Sequence, residues 1–159
     1  MRKEVPGFLW NRLQMALLRE ALWLVEQGVA TPEDVDRGIR KGLGRRFSAI
    51  GLFDAVDLGG LGTWHNVARR LFPELSAAAS PGPFLAERAA AGDLGESSGR
   101  GVYEWPADRA AAVKRRRDAL LAEWLRRDRA ETDAGAGPRG RAPSTSGDDE
   151  GDGTDGADV

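Results

Sequence analysis

Apolar positions in this chain recur at the spacing of helices, and no stretch alternates for long enough to build a sheet. The longest periodic segment covers residues 6–27 and ends before Gly28, a residue suited to a left-handed helix end. Its apolar residues cover most of the helix circumference and leave a narrow polar stripe of Arg12, Arg19 and Glu26. We expect such a helix to be buried on more than one side, as a central or an interface helix. Self-association is its natural interpretation.

Start and stop signals predict shorter helices along the rest of the chain. Thr31 can cap a second helix that ends at Lys41, before a glycine-rich connection over residues 42–51. Further helices are predicted over residues 53–58, 64–71 and 84–91, the second of them capped by Thr63 and closed by Pro73, and from Ala107 to about Arg127. Residues 102–105 read as a short extended piece. The pattern therefore predicts an all-α domain.

The distribution of charge separates a tail from this domain. Residues 130–159 contain eight acidic residues, two basic residues and seven glycines, whereas residues 1–129 carry a net charge of +4. The last thirty residues have too little apolar surface to offset the entropy lost on ordering. We predict a helical domain over residues 6–128 and a disordered acidic tail over residues 129–159. A folding part of about 125 residues is enough for one domain and one core.

Length and composition exclude several classes of protein. A nucleotide-binding domain together with a separate substrate domain would need roughly twice as much chain. The absence of cysteine removes disulfides, zinc–thiolate sites and thiol nucleophiles. No apolar run approaches the ~18–20 residues of a membrane span, and the polar start lacks the pattern of a cleaved signal. We therefore expect a cytoplasmic protein with no membrane partner.

The residues that could carry chemistry have simpler explanations. His65 is the only histidine, and no carboxylate stands at a helical spacing that would orient it as a base, so a surface or structural histidine is favoured. The glycine runs at residues 42–44, 59–62 and 99–101 lack the strand and the full G-x-G-x-x-G of a dinucleotide site. They are predicted to be tight turns. We expect no metal site, and no cofactor bound by this chain alone.

Basic runs at residues 114–117 and 126–129 are of a kind found in proteins that bind nucleic acid. Acidic residues at positions 108, 118, 123 and 128 lie among them at spacings that form pairs along a helix. The aromatic residues are spaced for core packing and not for stacking on bases. A solvated helix face is the favoured interpretation, and no nucleic-acid partner is predicted.

Five further motifs follow the start of the first helix in a specific order. The start itself, Val5-Pro6-Gly7-Phe8-Leu9-Trp10-Asn11-Arg12-Leu13, is similar to the PGF-x-x-NR-L opening of the C-terminal domain of 3-hydroxyacyl-CoA dehydrogenases. The others are Glu20-Ala21 with Glu26-Gln27-Gly28-Val29-Ala30, Glu33-Asp34-Val35-Asp36, Gly42-Leu43-Gly44, Asp57-Leu58-Gly59-Gly60-Leu61-Gly62-Thr63, and Gly99-Arg100-Gly101-Val102-Tyr103. The resemblance covers about residues 5–105. Residues 42–51 are closer to the branch of lambda-crystallin and the gulonate and carnitine dehydrogenases.

This resemblance implies that NAD binding and substrate binding involve different domains. In the family an N-terminal Rossmann domain binds NAD and holds the catalytic histidine and glutamate, which cannot be located here. The helical C-terminal domain supplies the dimer interface and one wall of the acyl-CoA groove. Asn11 matches the family's helix asparagine, which orients the substrate and the catalytic histidine; the alternative is a capping or buried asparagine paired within the fold. Residues 1–5 look like the remnant of the inter-domain linker.

Two hypotheses on function follow. The first is the substrate-groove and dimerisation domain of an NAD-dependent oxidoreductase of fatty-acid or hydroxy-acid metabolism, inactive without its Rossmann domain. Its partners would be a second copy, a separate NAD-binding Rossmann chain, and an acyl-CoA or hydroxy-acid substrate. A natural half-enzyme, a truncated gene and a misassigned start are all compatible with it. The alternative is a non-catalytic all-α dimerisation or scaffolding module that kept the fold.

Overall fold

The computed structural model describes the backbone of residues 3–135 and the side chains of residues 3–132. Its helices in this part of the chain are α1 (Phe8–Glu26), α2 (Pro32–Gly38), α3 (Gly44–Ala49), α4 (Leu52–Gly59), α5 (Leu61–Leu71), α6 (Pro83–Ala90) and α7 (Ala107–Gly135). A π-helical turn covers Ile39–Leu43, and 3₁₀ turns cover Phe72–Glu74 and Glu96–Ser98. The described residues form no strand, so the predicted all-α fold is confirmed. None of their helices is both long and apolar enough to cross a bilayer.

The predicted caps of the first two helices are present. Gly28 follows α1 with a left-handed φ of 68°. Thr31 and Asp34 form a reciprocal capping box at the start of α2: the Thr31 hydroxyl accepts from the Asp34 amide at 3.2 Å, and the Asp34 carboxylate accepts from the Thr31 amide at 3.3 Å. The Thr31 hydroxyl also donates to the Asp34 carboxylate at 2.9 Å, and this hydrogen bond, together with that from the Thr31 amide, lowers the pKa of the Asp34 carboxyl. Local sequence therefore determines where these helices begin and end.

The glycine-rich connection predicted over residues 42–51 is largely helical, which corrects the expectation of tight turns there. The Gly44 amide donates to the Ile39 carbonyl in the π-helical turn, and α3 follows at once. A Cβ on Gly44 would lie 3.0 Å from that carbonyl oxygen, so the missing side chain lets the wide turn close. The expectation that Thr63 caps a helix is also wrong. Gly60, with φ of 82°, precedes α5, which already begins at Leu61.

Residues 102–105, predicted as a short extended piece, include Glu104, which forms a single bridge with Arg100; a second bridge joins Arg100 to Gly95. One helix boundary differs from the sequence prediction. The last helix continues to Gly135, so residues 129–135, predicted to belong to the tail, have helical backbone. Arg129, Ala130 and Glu131 favour a helix, and the Thr132 hydroxyl donates to the Asp128 carbonyl of the preceding turn at 2.8 Å. The rest of the predicted tail lies outside the described residues.

The described part of the chain divides into two units, the first ending at Ala110 and the second beginning at Ala111. In the first unit α1 packs against α2 and α6, and α4 packs against α5. The N-terminal half of α1 lies uncovered in the single chain, with Trp10 77% exposed, so the prediction of a central helix is wrong and that of an interface helix stays a prediction. Among the described residues, Ala55 and Ala110 are the buried apolar side chains. The fold thus leaves much apolar surface available to a partner.

Two glutamates on α1 hold the segment that leads into α6. The Ser76 amide donates to the Glu20 carboxylate at 2.8 Å, and the Phe84 amide donates to the Glu26 carboxylate at 3.0 Å. Phe84 is in the first turn of α6, so Glu26 caps that helix from 58 residues away. Gly82 permits the approach, since a Cβ there would lie 2.2 Å from a Glu26 carboxylate oxygen.

Replacing Glu26 with alanine should lower the free energy of unfolding by about 1–2 kcal/mol, because the Phe84 amide loses its acceptor and α6 loses a negative charge at its N-terminus. Glu26→Gln keeps an acceptor and should cost less. Glu87→Ala, an exposed glutamate on α6, is the matched control. Urea unfolding of the variants at one protein concentration checks this, and equal losses for Glu26→Ala and Glu87→Ala would contradict it.

Candidate functional site

Asn11 lies in the first turns of α1, just after a sharp entry into the helix. Gly7 and Phe8 both have left-handed φ angles, of 80° and 49°. Only glycine adopts such an angle at little cost, and its occurrence at Phe8 stores strain of the kind found near functional sites. A Cβ at Gly7 would lie in ordinary contact with this helix turn, 3.7 Å from the Asn11 Cβ and 3.5 Å from the Arg12 Cγ. The Pro-Gly-Phe sequence therefore sets where α1 begins, three residues before Asn11.

The Asn11 carboxamide is exposed, and within the described residues it forms no hydrogen bond. Gly7 is the N-cap of α1, and no side chain caps this helix end. The structure therefore gives Asn11 neither the capping role nor the buried role considered above. Instead, Asn11 lines an open groove of about 380 Å³ together with Arg12, Met15 and Arg19. Its amide is available to a ligand in that groove.

An apolar hollow of about 330 Å³ lies further along α1, within the same unit. It is lined by Leu17, Ala21 and Val25 of α1 and by side chains that include Phe84 and Tyr103. Its lining is mostly aliphatic and aromatic, which suits the body of an acyl chain better than a charged group. The two hollows together give one helix a polar groove near its start and an apolar hollow towards its end.

Tyr103, from the Gly-Arg-Gly-Val-Tyr motif, closes one side of the apolar hollow. Its hydroxyl donates to the Asp36 carboxylate at 3.0 Å, which ties this loop to α2 across 67 residues. The Arg109 guanidinium lies over the Tyr103 ring, 4.5 Å from its centre. Burial and the hydrogen bond to Asp36 raise the pKa of Tyr103 to about 12. The last motif of the resemblance therefore serves to fix the wall of this hollow.

Replacing Tyr103 with phenylalanine should lower the free energy of unfolding by about 1 kcal/mol near neutral pH. The hydrogen bond to Asp36 contributes no more than this because Tyr103 is partly exposed and water screens the interaction. The pKa is raised in the folded state, so the hydroxyl contributes fully below pH ~10, its unfolded value, and this contribution is lost as the pH rises towards about 12. The difference between the wild-type chain and Tyr103→Phe should therefore shrink over that range. Urea unfolding at several pH values measures it, and a difference independent of pH would contradict this.

The other residues weighed from the sequence lie elsewhere. His65 is exposed on α5 and, within the described part of the chain, forms no hydrogen bond. Gly99 has a left-handed φ angle in a turn, as predicted for its run, whereas in residues 59–62 Gly60 alone, with a positive φ, lies outside α4 and α5. Residues 3–132 bring no three histidine, aspartate or glutamate side chains together as a metal site.

Sequence reasoning missed the roles of two glutamates and of one arginine. Glu20 and Glu26 bind backbone amides of a distant loop, and Arg19 shares the groove of Asn11. The available signal was the polar stripe on an otherwise apolar helix. Spacing alone could not say what each polar side chain of that stripe would meet.

Comparisons with known proteins identify sequence relatives of this chain. The family of the 3-hydroxyacyl-CoA dehydrogenase C-terminal domain matches residues 7–105. The 5-formyl-3-hydroxy-2-methylpyridine 4-carboxylate 5-dehydrogenase of Mesorhizobium japonicum is 36% identical over 121 residues, which is 76% of this chain and 39% of that protein. An L-carnitine dehydrogenase of Burkholderia mallei is 53% identical over 60 residues, 38% of this chain and 19% of the relative.

A solved structure gives the same result in three dimensions. The crystal structure of 5-formyl-3-hydroxy-2-methylpyridine 4-carboxylic acid 5-dehydrogenase, an NAD+ dependent dismutase, superposes with a TM-score of 0.76 at 35% identity over 79% of this chain and 40% of that one. The chain therefore spans about two fifths of the length of this neighbour. The resemblance stated from the motifs is confirmed, including its likeness to carnitine dehydrogenases.

Proposed function

Because this chain belongs to the 3-hydroxyacyl-CoA dehydrogenase family as a C-terminal domain, we propose that it forms the substrate-groove and dimerisation part of an NAD-dependent oxidoreductase acting on a hydroxyacyl thioester or hydroxy acid. The chain spans about two fifths of the length of these relatives, and in this proposal the NAD-binding domain would lie in the part that it does not span. That domain would be supplied by a longer form of the chain or by a separate Rossmann chain. Residues 1–159 alone should then bind no NAD and catalyse no turnover.

The unpaired Asn11 carboxamide in its groove is the observation that carries this proposal. An exposed amide without an internal partner can donate to a substrate oxygen and accept from a substrate hydroxyl. Held on the rigid start of a helix, it would fix the substrate oxygen relative to a base and a hydride acceptor supplied by the Rossmann domain. NAD would supply the hydride-accepting chemistry when bound to that domain. Asn11 is thus proposed as a substrate-orienting residue.

The exposed apolar surface supports the dimerisation part of the proposal. Trp10 on α1, Phe53 and Leu58 on α4 are 77%, 81% and 78% exposed in the single chain. Large side chains left open in this way are typical of surfaces that another protein covers. The Rossmann domain and a second copy of the chain are the two occupants that the proposal requires.

The dimer is tested by light scattering on the full chain over a range of concentrations. We expect a dimer that Trp10→Lys dissociates, because a buried lysine without a partner is costly at an interface. Leu94→Lys, which changes an exposed leucine in the 92–101 turn region, is the matched control and should leave the mass unchanged. A monomer at every concentration would contradict the dimerisation role.

The scaffolding alternative is separated by ligand titration. It predicts a dimer that is indifferent to substrates, whereas a substrate-groove domain should show saturable shifts in the signals of Asn11 when 3-hydroxybutyryl-CoA or L-carnitine is added. Two-dimensional NMR of the labelled chain records these shifts. Absence of any shift for both compounds would favour the scaffold.

A further inference from the structure

The groove beside Asn11 carries two positive charges without a counter-charge. Arg12 and Arg19 both line it and lie two helical turns apart, ~10.5 Å along the axis of α1, on one face. Within residues 3–132 neither guanidinium forms an ion pair, and the one hydrogen bond of Arg12 is a long contact of 3.5 Å to the Pro6 carbonyl oxygen. No carboxylate is among the groove-lining side chains. The groove is therefore cationic.

Within residues 3–132 the acidic residues of α1 form no ion pair with these arginines, and Glu26 lines a separate, neighbouring hollow with Arg19. Glu20 and Glu26 are the acids of this helix, and both carboxylates accept from backbone amides of the 76–84 segment. Their positions are fixed by those hydrogen bonds, which leaves the guanidinium donors of the groove to a ligand. Met15 and Ala16 lie between the two arginines and give the groove an apolar floor.

We propose that Arg12 and Arg19 bind the anionic group of the substrate whose oxygen Asn11 orients, an inference that rests on the proposed function. Guanidinium groups bind oxyanions through two parallel N–H donors, and an apolar floor between them suits a short carbon skeleton. In either case the bound group is an oxyanion. It is either the free carboxylate of a small hydroxy acid or a phosphate of a coenzyme A thioester.

The test is NMR titration of the full labelled chain with three probes. They are 3-hydroxybutyrate, its neutral methyl ester and coenzyme A. If a carboxylate is bound, 3-hydroxybutyrate shifts the Asn11, Arg12 and Arg19 signals in a saturable manner and the ester does not. If a phosphate is bound, coenzyme A produces those shifts and 3-hydroxybutyrate does not. Equal shifts with acid and ester, or no saturable shift with any probe, overturn the proposal.

Variants locate the binding. Arg12→Gln and Arg19→Gln should each raise the dissociation constant of the bound probe by about tenfold, the effect of losing one charge-assisted hydrogen bond. Arg69→Gln, which changes an exposed arginine on α5, is the control and should leave it unchanged. Circular dichroism confirms that each variant is folded. An equal loss in Arg69→Gln would show general attraction of anions to a basic surface and would overturn the site.

This failure is distinct from failure of the proposed function. In an enzyme completed with a Rossmann domain, Arg12→Gln and Arg19→Gln should raise KM for the anionic substrate much more than they lower kcat. If both variants turn over substrate with the KM of the unsubstituted enzyme, the anion site is contradicted and the dehydrogenase role is not. A completed enzyme without turnover would remove the dehydrogenase role, while anion binding by the chain alone would still be measured by NMR.

Discussion

Replacing Asn11 with alanine should lower kcat/KM for NAD reduction by about 10²–10³-fold in a completed enzyme, the usual loss when one positioned donor at a reacting oxygen is removed. The completed enzyme is a fusion of the N-terminal part of the Mesorhizobium japonicum relative, which this chain does not span, to residues 1–159. The Asn11 carboxamide forms no hydrogen bond within the described residues, so its removal should cost little stability. Initial rates of NADH formation measure the effect.

Two further variants test the role of the Asn11 carboxamide. Asn11→Asp keeps an acceptor and loses the donor, so it should resemble alanine if donation to the substrate oxygen is what matters. Asn66→Ala, an exposed asparagine on α5, should leave kcat/KM unchanged. Full activity in Asn11→Ala, with Asn66→Ala equally active, would remove the orienting role.

Replacing Gly101 with alanine should lower the free energy of unfolding by about 2–3 kcal/mol, since overpacking against rigid neighbours is costly. A Cβ on Gly101 would lie 2.7 Å from the Gly95 Cα and 2.9 Å from the Gly95 nitrogen. Both atoms are backbone atoms in a turn held by the hydrogen bonds from the Gly95 amide to the Arg100 carbonyl and from the Gly101 amide to the Tyr103 carbonyl. Neither atom can move aside as a flexible side chain would.

Gly62→Ala is the matched control for this substitution. Gly62 lies in α5, and no atom comes within 4 Å of where its Cβ would be. Alanine there should leave stability unchanged or raise it by up to ~1 kcal/mol, the difference in helix propensity. Urea unfolding under identical conditions compares the two variants. A loss at Gly62 as large as at Gly101 would show that crowding is not the cause.

Local signals in the sequence predict much of this fold. Thr31 caps α2 as expected, and Gly28 follows α1 in a left-handed conformation as glycine alone does readily. These features depend on a few adjacent residues, so spacing is enough to find them. The motif order then located Asn11 on the helix where the structure has it.

The features that sequence could not predict depend on distant or absent partners. The glycines at positions 42 and 44 lie in helical turns although glycine has a low helix propensity. Glu26 caps a helix 58 residues away, which periodicity cannot reveal. The apolar residues around α1 predict a buried helix, but its N-terminal half is uncovered in the single chain and Trp10 is 77% exposed. The prediction holds only if another protein covers that half.

The dehydrogenase role is tested by the initial rate of NADH formation from NAD in three samples: residues 1–159 alone, the N-terminal part of the Mesorhizobium japonicum relative alone, and their fusion. The substrates are 3-hydroxybutyryl-CoA, L-carnitine and 5-formyl-3-hydroxy-2-methylpyridine 4-carboxylate. We expect turnover of at least one substrate by the fusion and none by either part. Turnover by residues 1–159 alone, or an inactive fusion that is folded and binds NAD, would contradict the assignment of this chain as the substrate-groove domain of a dehydrogenase.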